Sequence, residues 1–189
     1  LAIPIPIRKG ILSYRLFLIH EKNLPNFSKI RNIDDLKKYR GGLGAQWSIT
    51  KVMKKLNFPI VEGNNYEGLF GMLERERFDY FSRGVNEIFK EYNSRKDLYK
   101  HMKIEPLIAL YIPNPTYLFV SKKNKKLAKR IEIGLKKIIK NGLFDELFNK
   151  YHKEHLEKAK LSKRLILKVN NPLLSDITPL DEEEYWYRP

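Results

Sequence analysis

Two short stretches carry groups able to hold a small charged solute. Residues 41–46 (GGLGAQ) read as a glycine-rich strand that feeds a helix beginning near Trp47 and Ser48, with Ile49, Val52, Met53 and Leu56 recurring at helical spacing. The first N–H groups of such a helix have no intrahelical acceptor and lie at the positive end of its dipole, so they suit a carboxylate or another anion. The plainer role for Ser48 is that of a helix cap. Residues 79–87 (DYFSRGVNE) repeat the arrangement, a strand running into a loop and helix that carry Arg83, Asn86 and Glu87. Ligands of open α/β sheets bind beyond the carboxyl ends of the strands, so both loops are expected to face one crevice. Trp47 and Tyr66 offer flat walls for an apolar or ring-bearing ligand, with core packing as the alternative for each. The expected ligand-binding set is Gln46, Trp47, Ser48, Tyr66, Arg83, Asn86 and Glu87.

Other chemistry is missing. The chain has no cysteine, which excludes a disulfide framework, a thiolate zinc site and a cysteine nucleophile. No GxSxG, HExxH, P-loop or GxGxxG motif occurs. His152 and His155 lie an i,i+3 step apart on a lysine-rich helix, but no third imidazole stands with them, and a plain surface position is expected. Glu74, Glu76 and Asp79 are interleaved with Arg75 and Arg77, as in ordinary surface ion pairing. No catalytic residue, metal or cofactor is therefore expected.

The elements that must position the candidate residues alternate. Residues 11–20 form an apolar strand, 34–40 a short helix, 59–63 a strand, and Asn65 caps a helix with Tyr66, Leu69, Phe70 and Leu73 on its apolar face. Residues 78–82 return to strand, Val85, Ile88, Phe89 and Tyr92 mark a helix, and 104–112 is the next strand. Strands alternating with helices predict an α/β sheet, mainly parallel. Residues 114–122 read as a further strand of hinge character. A helix over 124–141 carries Leu127, Ile131, Leu135 and Ile138, and another over 143–161 has Leu143, Leu147 and Tyr151 on one face. Residues 164–169 read as a strand, and the last twenty as an extended segment laid over a surface.

With 189 residues the chain has room for one ordinary domain or two small lobes, and 42% hydrophobic residues suffice for a core. No apolar run approaches the roughly 20 residues of a membrane span. The chain begins at Leu1 in an apolar, proline-spaced stretch, and a preceding segment is expected. The net charge of +15 raises nucleic acid or another polyanion as an alternative partner, with an affinity that falls steeply with salt. Its distribution argues against that reading: residues 121–169 hold 16 basic and 5 acidic side chains, mostly lysines opposite an apolar stripe. No nucleic-acid-binding motif accompanies them.

The stretches IDDLKKYRGGLGAQWSITKVMKKLNF, YEGLFGMLERERFDYFSRGVNEI and PTYLFVSKKNKKLAKRIEIGLKKIIKNGLFDELFNKYHKE, in that order, resemble the bacterial extracellular solute-binding proteins of the amino-acid-binding class. The match runs over most of residues 33–155, and its third part is the most specific: a lysine, a spacer, a long amphipathic helix, Asn-Gly and an aromatic helix. The resemblance implies a periplasmic-binding-protein-like fold of type 2, two lobes joined by two crossing strands that close on a ligand without catalysis. It implies a remnant of lobe 1 and the first hinge strand in residues 1–22, lobe 2 in 23–113, the second hinge strand in 114–122, and the returning part of lobe 1 with the C-terminal tail in 123–189. The opening half of lobe 1, with the family's usual arginine, has no counterpart here.

The implied function is capture of a small polar or anionic solute, an amino acid or organic acid, for an ABC transporter permease or a receptor, in the periplasm or outside the cell. An enzyme on the same fold is a further alternative, since some relatives of the family are enzymes. Two departures bear on the ligand. The family's Gly-Ser or Gly-Thr at the anion-binding helix is Trp47–Ser48 here, and where many members place an aspartate for the ligand's amino group this chain has Arg83–Gly84. An anionic ligand group held by Arg83 and the amides near Ser48 is expected, with Glu87 as a substitute partner for an ammonium.

Overall fold

β2 (Tyr14–His20) is the strand on which the sheet is built, and six of its seven residues are buried. The computed structural model describes residues 1–189. The other strands are β1 (Ala2–Ile3), β3 (Gly41–Gly44), β4 (Ile60–Gly63), β5 (Tyr80–Gly84), β6 (Met102–Ile104), β7 (Ile108–Tyr111), β8 (Leu118–Phe119) and β9 (Leu165–Lys168). The helices are α1 (Leu24–Phe27), α2 (Ile33–Leu36), α3 (Ser48–Lys55), α4 (Tyr66–Glu74), α5 (Ile88–Asn93), α6 (Lys125–Lys140) and α7 (Leu143–Ala159). The main sheet has the order β4-β3-β5-β2-β7-β9, with β6 also on β2, while β1 and β8 pair separately.

Alternate residues of β2 enter two cores. Leu16 and Leu18 join Phe70, Phe78 and Phe81 on one face, and Phe17 and Ile19 join Phe27, Leu43 and Tyr80 on the other. A sheet covered on both faces needs a continuous apolar strand, which is what residues 16–19 supply.

The sheet is mixed, where a mainly parallel one is expected from the alternation of elements. β3 is parallel to β4 and β5, and β7 to β9, but β2 is antiparallel to β5, β6 and β7. β2 enters from the end at which β5 and β7 leave, so Arg15 lies opposite Gly84 and Leu110. The single strand expected over 104–112 divides, because the Glu105 carboxylate accepts from the N–H groups of Leu107 and Ile108, both at 2.8 Å, and closes a turn. Of the strand expected over 114–122, only Leu118 and Phe119 pair, with Ile3 and Ala2. Pro113 and Pro115 lack the N–H a ladder needs.

The later helices also differ from expectation. Phe144, Phe148 and Ala159 are the buried residues of α7, and Leu143, Leu147 and Tyr151 are exposed, so the packed face is one residue round from the face read in the sequence. α6 buries no residue fully, although Leu135 and Ile139 rest on a cluster of Ile5, Tyr185 and Trp186. The tail is thus held on the surface as expected. β9, expected to return with residues 123–189 to the first lobe, instead extends the main sheet beside β7. His152 is not a plain surface residue: it is partly buried, its Nδ1 has no partner, and burial pushes its pKa down to about 4. No helix is long and apolar enough to cross a membrane.

Candidate functional site

The turn before α3 is made by close approach. A Cβ on Gly44 would stand 2.4 Å from the Trp47 ring, so only glycine lets the indole lie against the strand end. The Gly44 carbonyl accepts from the Trp47 N–H at 3.1 Å and from the Thr50 hydroxyl at 2.7 Å. Trp47 occupies the cap position in extended conformation and makes no side-chain cap, and Ser48 is the first helical residue. Ser48 is therefore not the cap that its type allows. The N–H groups of Ser48 and Ile49 have no acceptor within the chain.

β5 begins and ends two residues later than the sequence reading places it, which puts Arg83 within the strand rather than in a loop. Arg83 is 7% exposed. Its Nε and Nη2 donate to the two carboxylate oxygens of Glu91 at 2.7 and 2.5 Å, and Nη2 lies 3.2 Å from Glu87 Oε2. The guanidinium carbon sits 4.6 Å from the Trp47 ring centre, 5.1 Å from Phe81 and 5.5 Å from Tyr66. Burial works against its charge, but the Glu91 hydrogen bonds and the nearby Glu87 and Glu91 charges outweigh burial, and its pKa is raised. The Tyr66 hydroxyl donates to Glu91 at 2.7 Å, and burial together with that bond pushes the phenol up to about 12. Arg83 thus holds the aromatic walls together, and its charge is already matched.

Arg83, Trp47 and Tyr66 line a cleft of about 370 Å³ with Leu12, Arg15, Ser48, Ile49, Glu87 and Asn114. Of the seven expected residues, Trp47, Ser48, Tyr66, Arg83 and Glu87 come together there. Gln46 does not line it but faces an adjoining cleft of similar volume, which shares Ser48 and Asn114 and is walled by tail residues Asn171 to Thr178. Asn86 lines neither, and its Oδ1 is buried without a partner. Glu87 accepts from the Gly84 N–H at 2.9 Å through Oε2.

The lining residues Leu12, Arg15, Ile49 and Asn114, and Glu91, which pairs with Arg83, lie outside the expected set. Arg15 is 3% exposed, with Nε donating to Ser82 Oγ and Nη2 to the Ser82 carbonyl, both at 2.8 Å. Burial pushes its pKa down to about 10, which leaves it charged at neutral pH. The available signal for it was a lone cation inside the apolar run ILSYRLFLIH. Glu91 had no signal beyond its i,i+4 spacing from Glu87.

Mixed sheet, covering helices and a cleft at the strand ends define the class: the chain has the periplasmic-binding-protein-like fold of type 2. It is similar to the crystal structure of YckB from Bacillus subtilis, with 25% identity, a TM-score of 0.50, and 83% of this chain and 62% of that one covered. It is similar also to an ancestral arginine-binding protein bound to glutamine (18% identity, TM-score 0.52, 73% and 59% covered). A third similar structure is the GluR0 ligand-binding core with L-glutamate (15% identity, TM-score 0.53, 72% and 58% covered). The chain spans about three fifths of the length of these structures. No protein-family model and no curated protein matches it.

Proposed function

We propose that the chain is part of a periplasmic or extracellular solute-binding protein that captures an amino acid or organic acid and hands it to an ABC transporter or a receptor. The observation that carries this reading is the convergence, at the carboxyl ends of β3 and β5, of free α3 amides, a carboxylate and two arginines between aromatic walls. Two of the similar structures hold glutamine and glutamate, ligands with both a carboxylate and an ammonium. The pairing of Arg83 with Glu91 removes the repulsion that an ammonium would otherwise meet there, and Glu87 offers it a carboxylate oxygen.

In this reading β2 and residues 23–113 with β9 make the second lobe. The first lobe is represented by β1, β8, α6 and α7. The exposed apolar side chains of α6 and α7, among them Leu127, Leu143 and Leu147, support a face that packs against further structure. None of the lysines of α6 or α7 lines the cleft, whose cations are Arg15 and Arg83.

A thermal-shift screen of amino acids, organic acids and small anions tests the proposal, since a ligand that binds only the folded state raises the melting temperature. A rise with at least one carboxylate solute is expected. No rise with any of them overturns the reading.

A further inference from the structure

Buried charges in folded proteins are paired, because an isolated one forfeits its hydration. Arg83 obeys the rule through Glu91 and Glu87. Arg15 does not. It is 3% exposed, and no carboxylate lies within the 4.0 Å of an ion pair, although fifteen such pairs occur elsewhere in the chain. Its only partner is Ser82, which fixes Nε and Nη2 through a hydroxyl and a carbonyl and leaves Nη1 without a hydrogen bond. The guanidinium is therefore held in one orientation at the wall of the cleft that Ser48 and Ile49 also line. The antiparallel entry of β2 is what puts Arg15 at this edge of the sheet.

We infer that Arg15 is the anion-binding arginine of the cleft, taking a carboxylate or similarly small oxyanion of the ligand on Nη1 together with the free amides of Ser48 and Ile49, while Arg83 is a positioning residue. This rests on the cleft being a solute site, as proposed above. Glu87 and Glu91 act on Arg15 only from beyond ion-pair distance, so an anion placed there supplies the contact partner it lacks. It meets donors already oriented, so little ordering is needed on binding.

The test is an NMR titration of the full chain, observing the Arg15 Nε–H and the Ser48 and Ile49 amides, with acetate, its uncharged counterpart acetamide, and L-glutamate as probes. Acetate and L-glutamate are expected to move all three signals, and acetamide to leave them in place. Arg15→Gln is expected to weaken L-glutamate binding roughly ten- to a hundredfold, the loss of a charge-assisted hydrogen bond. Ser48→Pro supplies a second variant that folds: proline suits the first helical position, Trp47 before it is already extended (φ −77, ψ 140), and the substitution deletes one donor. It is expected to weaken L-glutamate roughly tenfold.

Equal responses to acetate and acetamide, an Arg15 Nε–H that no carboxylate moves, or undiminished L-glutamate binding by either variant overturns the inference. Should Arg15→Gln fail to fold, the unsubstituted chain and Ser48→Pro still decide it. The two readings fail separately. Solutes that raise the melting temperature without involving Arg15 overturn only the anion site, whereas acetate at Arg15 with no solute raising the melting temperature overturns only solute capture.

Discussion

The guanidinium of Arg83 and the carboxylate of Glu91 form a two-pronged ion pair, at 2.7 and 2.5 Å, with both residues buried. The pair joins the end of β5 to α5, and the Tyr66 hydroxyl, donating to Glu91, adds α4 to the same node. Three elements that frame the cleft are thereby fixed by one carboxylate.

Arg83→Met should destabilise the fold by about 3 kcal/mol, since it leaves Glu91 as a buried charge without its partner. The double variant Arg83→Met/Glu91→Leu should be less destabilised than the sum of its two single changes, because the stranded charge is then gone. Urea denaturation of the four proteins of the cycle measures the coupling. Strict additivity would contradict the pairing.

Two glycines make a matched pair of predictions. Gly44→Ala places a methyl 2.4 Å from the Trp47 ring and should cost about 1–3 kcal/mol while displacing the indole from the cleft wall. Gly134→Ala in α6 meets nothing within 4 Å and should stabilise by roughly 0.5–1 kcal/mol through helix propensity. Denaturation midpoints read both, and a changed tryptophan emission should accompany only the first.

His152 should make stability fall in mild acid. Burial, with the charges of Arg8 and His155 adding to it, holds its pKa at about 4 against the ordinary 6.5. The unfolded chain therefore binds more protons between those values, so the contribution is complete above about 6.5 and is lost as pH drops towards 4. With its partial exposure discounted, the loss is about 1–2 kcal/mol. Comparing melting curves at the two ends of this window for the unsubstituted chain and for His152→Gln checks it, because the variant should lack that part of the slope.

Asn65→Ala should lower stability by about 1 kcal/mol, since the Asn65 side chain accepts from the N–H groups of Glu67 at 2.9 Å and Gly68 at 3.4 Å. Asn65→Asp keeps an accepting oxygen at the helix's positive end and should retain that stability. Chemical denaturation of the two variants separates a cap from a surface amide.

Where a local pattern sets the structure, the sequence reads correctly. The Asn65 cap and the buried Leu69, Phe70 and Leu73 of α4 follow from spacing alone, while Tyr66, read on the same face, stays exposed. The same holds for Trp47 and Ser48 at the head of α3, because glycines followed by a helical repeat specify a strand that turns sharply into a helix. Pattern fails where a choice between neighbouring faces or ends is settled at long range. Phe144 and Phe148 rather than Leu143 and Leu147 face inward on α7, and Phe148 joins Ile11 and the other residues of the first core.

Residue chemistry by itself determined that this chain carries strand-end loops with an exposed helix start, aromatic walls and charges of both signs, set on an α/β fold. Only the tertiary structure decided which charge is free. Arg83 lines the cleft from within β5, but Glu91, one turn along α5 from Glu87, folds back to claim it. Arg15 is a lone cation in an apolar strand, and it is the direction of β2 that places it beside Gly84 at the wall of the cleft. Strand direction and ion pairing depend on contacts between residues far apart in the chain, and no local period or composition records them.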